Sequence, residues 1–114
     1  MQHSRMLKYL LDIEQVITEI EELSGRFQGD FKKFENDWVS RRAIERDLQI
    51  IGEAVNKLLQ LNPEIKITSA SNIIGLRNII VHAYDSVEYE MIWAIIQKDI
   101  PVLKQEVLWL KSEQ

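Results

Sequence analysis

In the stretch "RNIIVHAY" the chain sets Arg77, Asn78, His82 and Tyr84 among apolar neighbours. Histidine is the side chain whose proton moves near neutral pH, so His82 is a candidate general acid or base. Arg77 is a fixed cation whose planar fork matches phosphate oxygens. Together they are the parts of a cut in RNA that needs no metal. The imidazole takes the proton of a ribose 2′-hydroxyl, or supplies one to the leaving oxygen. The guanidinium offsets charge building at the phosphorus centre. Asn78 can orient the imidazole or the phosphate. DNA has no 2′-hydroxyl, so this route selects RNA.

A plainer reading stands beside that one. A histidine near a helix end commonly bonds one carbonyl and does nothing more, and an arginine on a helical surface is commonly a solvated charge. Spacing alone leaves both readings open and gives more weight to the plain one. On an ideal helix Asn78 and His82 share a face. Arg77 and His82 stand about 140° apart around the axis. They converge only if the helix ends near His82 and the long arginine swings round, or if two copies face each other across a two-fold axis. A metal centre is a poor fit, because His82 has no partner histidine or tight carboxylate group and the chain has no cysteine. No cofactor is expected.

The elements that must carry these residues are helices. Met6, Leu10, Ile13, Ile17 and Ile20 recur at steps of four and three, as do Ile44, Leu48, Ile51, Val55 and Leu58. Ile73, Leu76, Ile80 and Ala83 form a third stripe, and Ile92, Ile96, Ile100, Leu103, Val107 and Leu110 a fourth. No segment alternates in the manner of a strand. Gly25 to Gly29 should end the first helix, Asp30 should cap a short helix through "FKKFEN", and Asn36 or Asp37 should start the second long helix. Asn62-Pro63 stops it. Thr68 or Ser69 should cap the third, and "DSVE" (Asp85 to Glu88) reads as a capping box for the fourth. Pro101 should kink or split that last helix after Asp99. The expected fold is all-α: an antiparallel bundle of four main helices plus a short one.

The totals bound the rest. With 114 residues, 46% of them apolar, residues 1–114 are one globular domain. No apolar run nears the roughly 20 residues of a membrane span. The opening "MQHSRMLKYL" turns polar at Asp12 and Glu14 without a small-residue cleavage site, so no secretory signal is expected. Absence of cysteine fits a cytoplasmic protein. The net charge of −4 argues against a chain that coats nucleic acid by bulk attraction. The cations do cluster, at Arg41, Arg42 and Arg46; Arg41 and Arg42 read as solvated. Arg46 and Glu53 lie two turns apart on one helix face, either as a cleft cation with a carboxylate that orients the motif, or as plain surface charges. Trp38, Trp93 and Trp109 are a large aromatic load; any exposed part favours a dimer interface.

The pattern R-x-x-x-x-H-x-Y with Asn after the Arg resembles the signature of HEPN domains, in particular the HepT-like toxins of MNT–HEPN toxin–antitoxin systems. "AIERDLQIIGEAVNKL" resembles that family's second long helix, and "GLRNIIVHAYDSVEYEMIWAIIQKDIPVLKQEV" its third and fourth with their connection. The segment "EIKITSASNII" departs from the family, which often has an aromatic residue and a proline there. The resemblance implies a homodimer with its site between protomers, and metal-independent endoribonuclease activity on tRNA or mRNA. It implies Arg77 and His82 as the catalytic pair with Asn78 as companion. It implies a toxin of the type VII class, neutralised when an MNT-type nucleotidyltransferase moves AMP from ATP to Tyr84. Read without the resemblance, Tyr84 is a core or cap aromatic. The competing function is a non-catalytic helical subunit that binds nucleotides or a nucleotidyltransferase partner.

Overall fold

The structure, a computed structural model, describes residues 2–114, with side chains from Ser4 onward. Helix α1 spans Gln2–Ser24, α2 Phe31–Asn36, α3 Trp38–Leu61 and α4 Ala70–His82. After a 3-10 turn at Tyr84–Ser86, α5 (Tyr89–Ala94) runs through a π segment, Ile95–Asp99, into α6 (Ile100–Ser112). Among the described residues there is no strand.

The predicted stripes form the core, except that Met6 is only partly buried against it and Ala83 lies beyond the end of α4. Leu10, Ile13, Ile17 and Ile20 of α1 are buried, as are Ile44, Leu48, Ile51, Val55 and Leu58 of α3. Ile73, Leu76 and Ile80 of α4 join them, with Ile92, Ile96, Ile100, Leu103, Val107 and Leu110. Each such side chain contributes about 1.5–3 kcal/mol by leaving water. Helix α3 is central, packed along α1 on one side and α4 on the other, while α6 lies against α1. Lys104 meets Glu21 at 2.9 Å and Lys111 meets Glu14 at 2.8 Å, so α1 and α6 run antiparallel. As partly exposed pairs these bridges add little to stability.

The breaks follow local chemistry. Helix α1 ends in a 3-10 turn, Gly25–Phe27. The chain then reverses through Gln28 and Gly29, at φ 52° and 72°, a left-handed pair that glycine makes cheap. Asp30 caps α2 by accepting from the Lys32 amide, and Asp37 caps α3 by accepting from the Ser40 amide, as expected. Asn62 ends α3. Around α2, Phe27, Phe31, Phe34 and Trp93 pack with ring centroids 5.3–6.3 Å apart, which anchors α5 to α2 and the turn before it.

Two expected caps are not made. Ser69 does stand at the N-cap of α4, but its hydroxyl donates to Asp99 at 2.9 Å instead of accepting from α4 amides. Thr68 bonds Glu106 through both its amide and its hydroxyl. Both residues tie the loop to the last helix, a tertiary bond that outcompetes the local one. The Asp85 to Glu88 box is also absent. Ser86 N donates to Ala83 O at 2.8 Å and Val87 N to Tyr84 O at 3.1 Å, so Asp85 is taken up in a 3-10 turn. Helix α5 starts at Tyr89 after Glu88, with no side-chain cap. The irregularity before Pro101 is present as the π segment. Pro101 has no N–H and crowds the carbonyl four residues before it, and a widened turn relieves both.

Candidate active site

Arg77, Asn78 and His82 all stand on α4, and His82 is its last residue. The next residue, Ala83, turns to φ −147° and ψ 52°, so the helix stops there. One of the two arrangements that would bring Arg77 and His82 together, a helix ending at the histidine, is thus half met. His82 and Asn78 are exposed, one turn apart on the same face. Among the described residues the His82 ring has no hydrogen-bond or ion-pair partner.

Arg77 is half-buried, and its placement depends on the neighbouring helix. A Cβ built on Gly52 of α3 would fall 2.4 Å from the Arg77 Cβ and 2.8 Å from its Cγ. Only a residue without a side chain lets the arginine stem lie against α3 there. Farther out, Arg77 Nη1 donates to Asn78 Oδ1 at 3.2 Å. Arg77 Nε is buried without an acceptor among the described residues. A buried donor left unmet costs about 1–3 kcal/mol, so this one calls for an acceptor that the described residues of the single chain do not supply; Ser24 Oγ, at the end of α1, is likewise unmet among them.

Tyr84 follows in the 3-10 turn. The residue is 48% exposed, yet its hydroxyl donates to Glu45 Oε1 at 2.5 Å. Glu45, on α3, is itself buried. That hydrogen bond, then burial, then the Glu45 charge hold the phenol above its usual pKa, while Arg42 and Arg41 pull the other way. The contact opens on a pocket of about 230 Å³ lined by Arg41, Arg42, Glu45, Tyr84, Asp85 and Tyr89.

Sequence reasoning misjudged Arg41. It is buried, not solvated. Its guanidinium lies 4.0 Å over the Tyr89 ring and donates to the Glu35 carbonyl at 2.7 Å. Arg42 is exposed, as expected. Glu45, Gly52 and Tyr89 were not singled out from sequence. A faint signal existed: Arg41, Glu45, Leu48 and Gly52 recur at helical steps, a stripe in which charged and small residues stand where apolar ones would.

Arg46 and Glu53 are both exposed on α3. Arg46 borders a groove with Glu19, Glu22 and Arg26, and Glu53 one with Tyr9, Asp12 and Lys57, so both face the α1 side. Among the described residues no group of three His, Cys, Asp or Glu side chains could hold a metal ion, and no helix is long and apolar enough to cross a membrane.

Comparison with known proteins places this geometry in context. A family model described as "Ribonuclease HepT-like" matches residues 13–108. The chain is 37% identical over 97 residues to "Putative RNase TTE0752" of Caldanaerobacter subterraneus subsp. tengcongensis, covering 83% of this chain and 87% of the relative. It is 35% identical over 100 residues to "Probable ribonuclease HepT" of Thermococcus cleftensis, with 84% and 86% covered. It is 32% identical over 103 residues to "Putative RNase MJ1380" of Methanocaldococcus jannaschii, with 87% and 90% covered. No solved structure gives a significant match.

Proposed function

Because the chain belongs to the HepT-like ribonuclease family, we propose that it is a metal-independent endoribonuclease whose catalytic residues are Arg77, Asn78 and His82. The observation that carries this reading is the end of α4. The helix stops at an exposed imidazole, and the guanidinium on the preceding turn keeps a buried N–H without an acceptor. His82 moves the proton of the 2′-hydroxyl or of the leaving oxygen. Arg77 takes a phosphoryl oxygen, and Asn78, already bonded to the guanidinium, aligns it. Arg46 and Glu53 face α1 and not the motif, so Arg46 serves at most as a distant cation that attracts RNA and Glu53 has no role at the motif of its own chain.

Two chains complete the site. Across a two-fold axis, Arg77 of one copy faces His82 of the other, which removes the 140° mismatch of a single straight helix. Trp38, 63% exposed at the start of α3, is apolar surface that pairing would cover. The protein then acts in the cytoplasm as a type VII toxin on tRNA or mRNA. A nucleotidyltransferase of the MNT type silences it by moving AMP to Tyr84. The exposure of Tyr84, two residues from His82, supports that reading. An added phosphodiester would set bulk and negative charge where RNA must lie.

The test is cleavage of RNA by the purified chain in EDTA. Products should carry a 2′,3′-cyclic phosphate and a 5′-hydroxyl, and His82→Ala should lose nearly all cleavage, about 10²–10⁴-fold, while folding normally. Induction of the chain alone should arrest growth, and the variant should not. A chain inert on RNA and harmless on induction would point instead to the non-catalytic subunit.

A further inference from the structure

Tyr84 joins two parts of the molecule that the reaction would need to keep together. Its backbone belongs to the turn that follows His82 directly: Ala83 N donates to Ile79 O at 2.8 Å, and Val87 N to Tyr84 O at 3.1 Å. Its hydroxyl is held by Glu45 on the central helix. His82, two residues earlier, has no side-chain bond of its own among the described residues. What fixes the imidazole in space is therefore the backbone at the end of α4, and the Tyr84–Glu45 bond pins that backbone to α3.

We propose that Glu45 is a positioning residue: its buried carboxylate grips the Tyr84 hydroxyl, sets the turn that carries His82, and makes the activity of the site sensitive to any change at that oxygen. This rests on the ribonuclease reading above and extends it to regulation. Glu45 touches no reacting atom of RNA; it acts through Tyr84. The same contact fits transfer of a nucleotidyl group. The Tyr84 oxygen forms a bond to the α-phosphorus of a nucleoside triphosphate, the bond from that phosphorus to the bridging oxygen breaks, pyrophosphate leaves, and the phenol proton passes to the Glu45 carboxylate. Afterwards the oxygen is an ester oxygen with no proton to donate. Once Glu45 passes that proton on to water, a phosphodiester anion stands beside a carboxylate, and loss of the phenol donor together with like charge drives the ring off α3. Modification thus silences the site by releasing His82 as well as by blocking RNA.

The experiment compares single-turnover cleavage of a labelled single-stranded RNA by wild type, Tyr84→Phe, Glu45→Leu, Glu45→Gln and the double variant Tyr84→Phe/Glu45→Leu. Tyr84→Phe and Glu45→Leu should each lower kcat about tenfold with KM unchanged, the effect of one lost hydrogen bond. The double variant should be no worse than either single, because both remove one contact. Glu45→Gln keeps an acceptor oxygen and should restore most of the rate. His82 ring signals, assigned in NMR spectra by their loss in His82→Ala, should shift and broaden in Tyr84→Phe. Losses that multiply in the double variant, or wild-type rates in both singles, overturn the proposal. If wild type cuts no RNA, the ribonuclease reading fails instead. The NMR comparison still decides the tether, and unchanged His82 signals in Tyr84→Phe refute it.

Discussion

Gly52 of α3 and Arg77 of α4 approach so closely that a β-carbon on the glycine would lie 2.4 Å from that of the arginine and 3.2 Å from the Ile73 carbonyl oxygen. An alanine at an ordinary helical position gains about 1 kcal/mol over glycine. Here the added methyl meets side-chain atoms next to the backbone, which cannot swing away, and such overpacking costs about 1–3 kcal/mol. Gly52→Ala should therefore lower the unfolding free energy and displace Arg77, with a matching loss of RNA cleavage. A denaturant melt alongside the cleavage assay checks both. A more stable and fully active variant would contradict the close contact.

His82 tests the chemistry without testing the fold. Its ring is exposed and unbonded, so His82→Ala should leave stability within about 0.5 kcal/mol. Cleavage should drop by about 10²–10⁴, the usual contribution of a general acid or base. Arg77→Lys keeps the charge but loses the fork, and should also cleave poorly.

Arg46 distinguishes attraction from catalysis. It is exposed on α3 and makes no contact with the motif among the described residues. Arg46→Ala should raise KM a few-fold and leave kcat alone. The salt dependence of RNA binding should weaken by about 0.7 in log–log slope, the share of one phosphate contact on a single strand. Titration of binding against salt provides the measurement. A fall in kcat with an unaltered slope would move Arg46 into the reaction itself.

Asp47 sets a pH dependence of stability. Its carboxyl, between α1 and α3, is pushed up to about 7 by burial, then by the Glu19 charge and the hydrogen bond shared with Glu19, with Arg46 opposing. An unfolded aspartate titrates near 4. Between roughly pH 4 and pH 7 the unfolded chain has released a proton that the folded chain retains, so this group makes stability fall as pH rises through that window and level off above it. Asp47→Asn should remove the slope and, at pH 8, raise stability on the order of 1 kcal/mol, reduced from the full shift by solvent screening. Melts of both proteins across that range should diverge towards high pH; parallel curves would reject the assignment.

Much of the fold could be read from residues alone, because each stripe of apolar side chains at helical spacing has one way to leave water. That α4 ends at His82 was only one of two arrangements the spacing left open, and the structure supplied it. The same string could not show that Thr68 and Ser69 would bond Glu106 and Asp99 instead of capping α4, since those partners are 30 or more residues away. It could not show Arg41 under cover, because the Tyr89 ring that shields it comes from another helix.

Local chemistry thus determined which helices form, where most of them break, and which residue types could cut RNA. Only the tertiary structure decided that Gly52 makes room for Arg77, that Glu45 holds Tyr84, and that Arg46 and Glu53 look towards α1. The physical reason is range. Helical periodicity and turn chemistry act over a few neighbouring residues, whereas a contact between side chains 25 or 39 positions apart exists only once packing has brought their helices together.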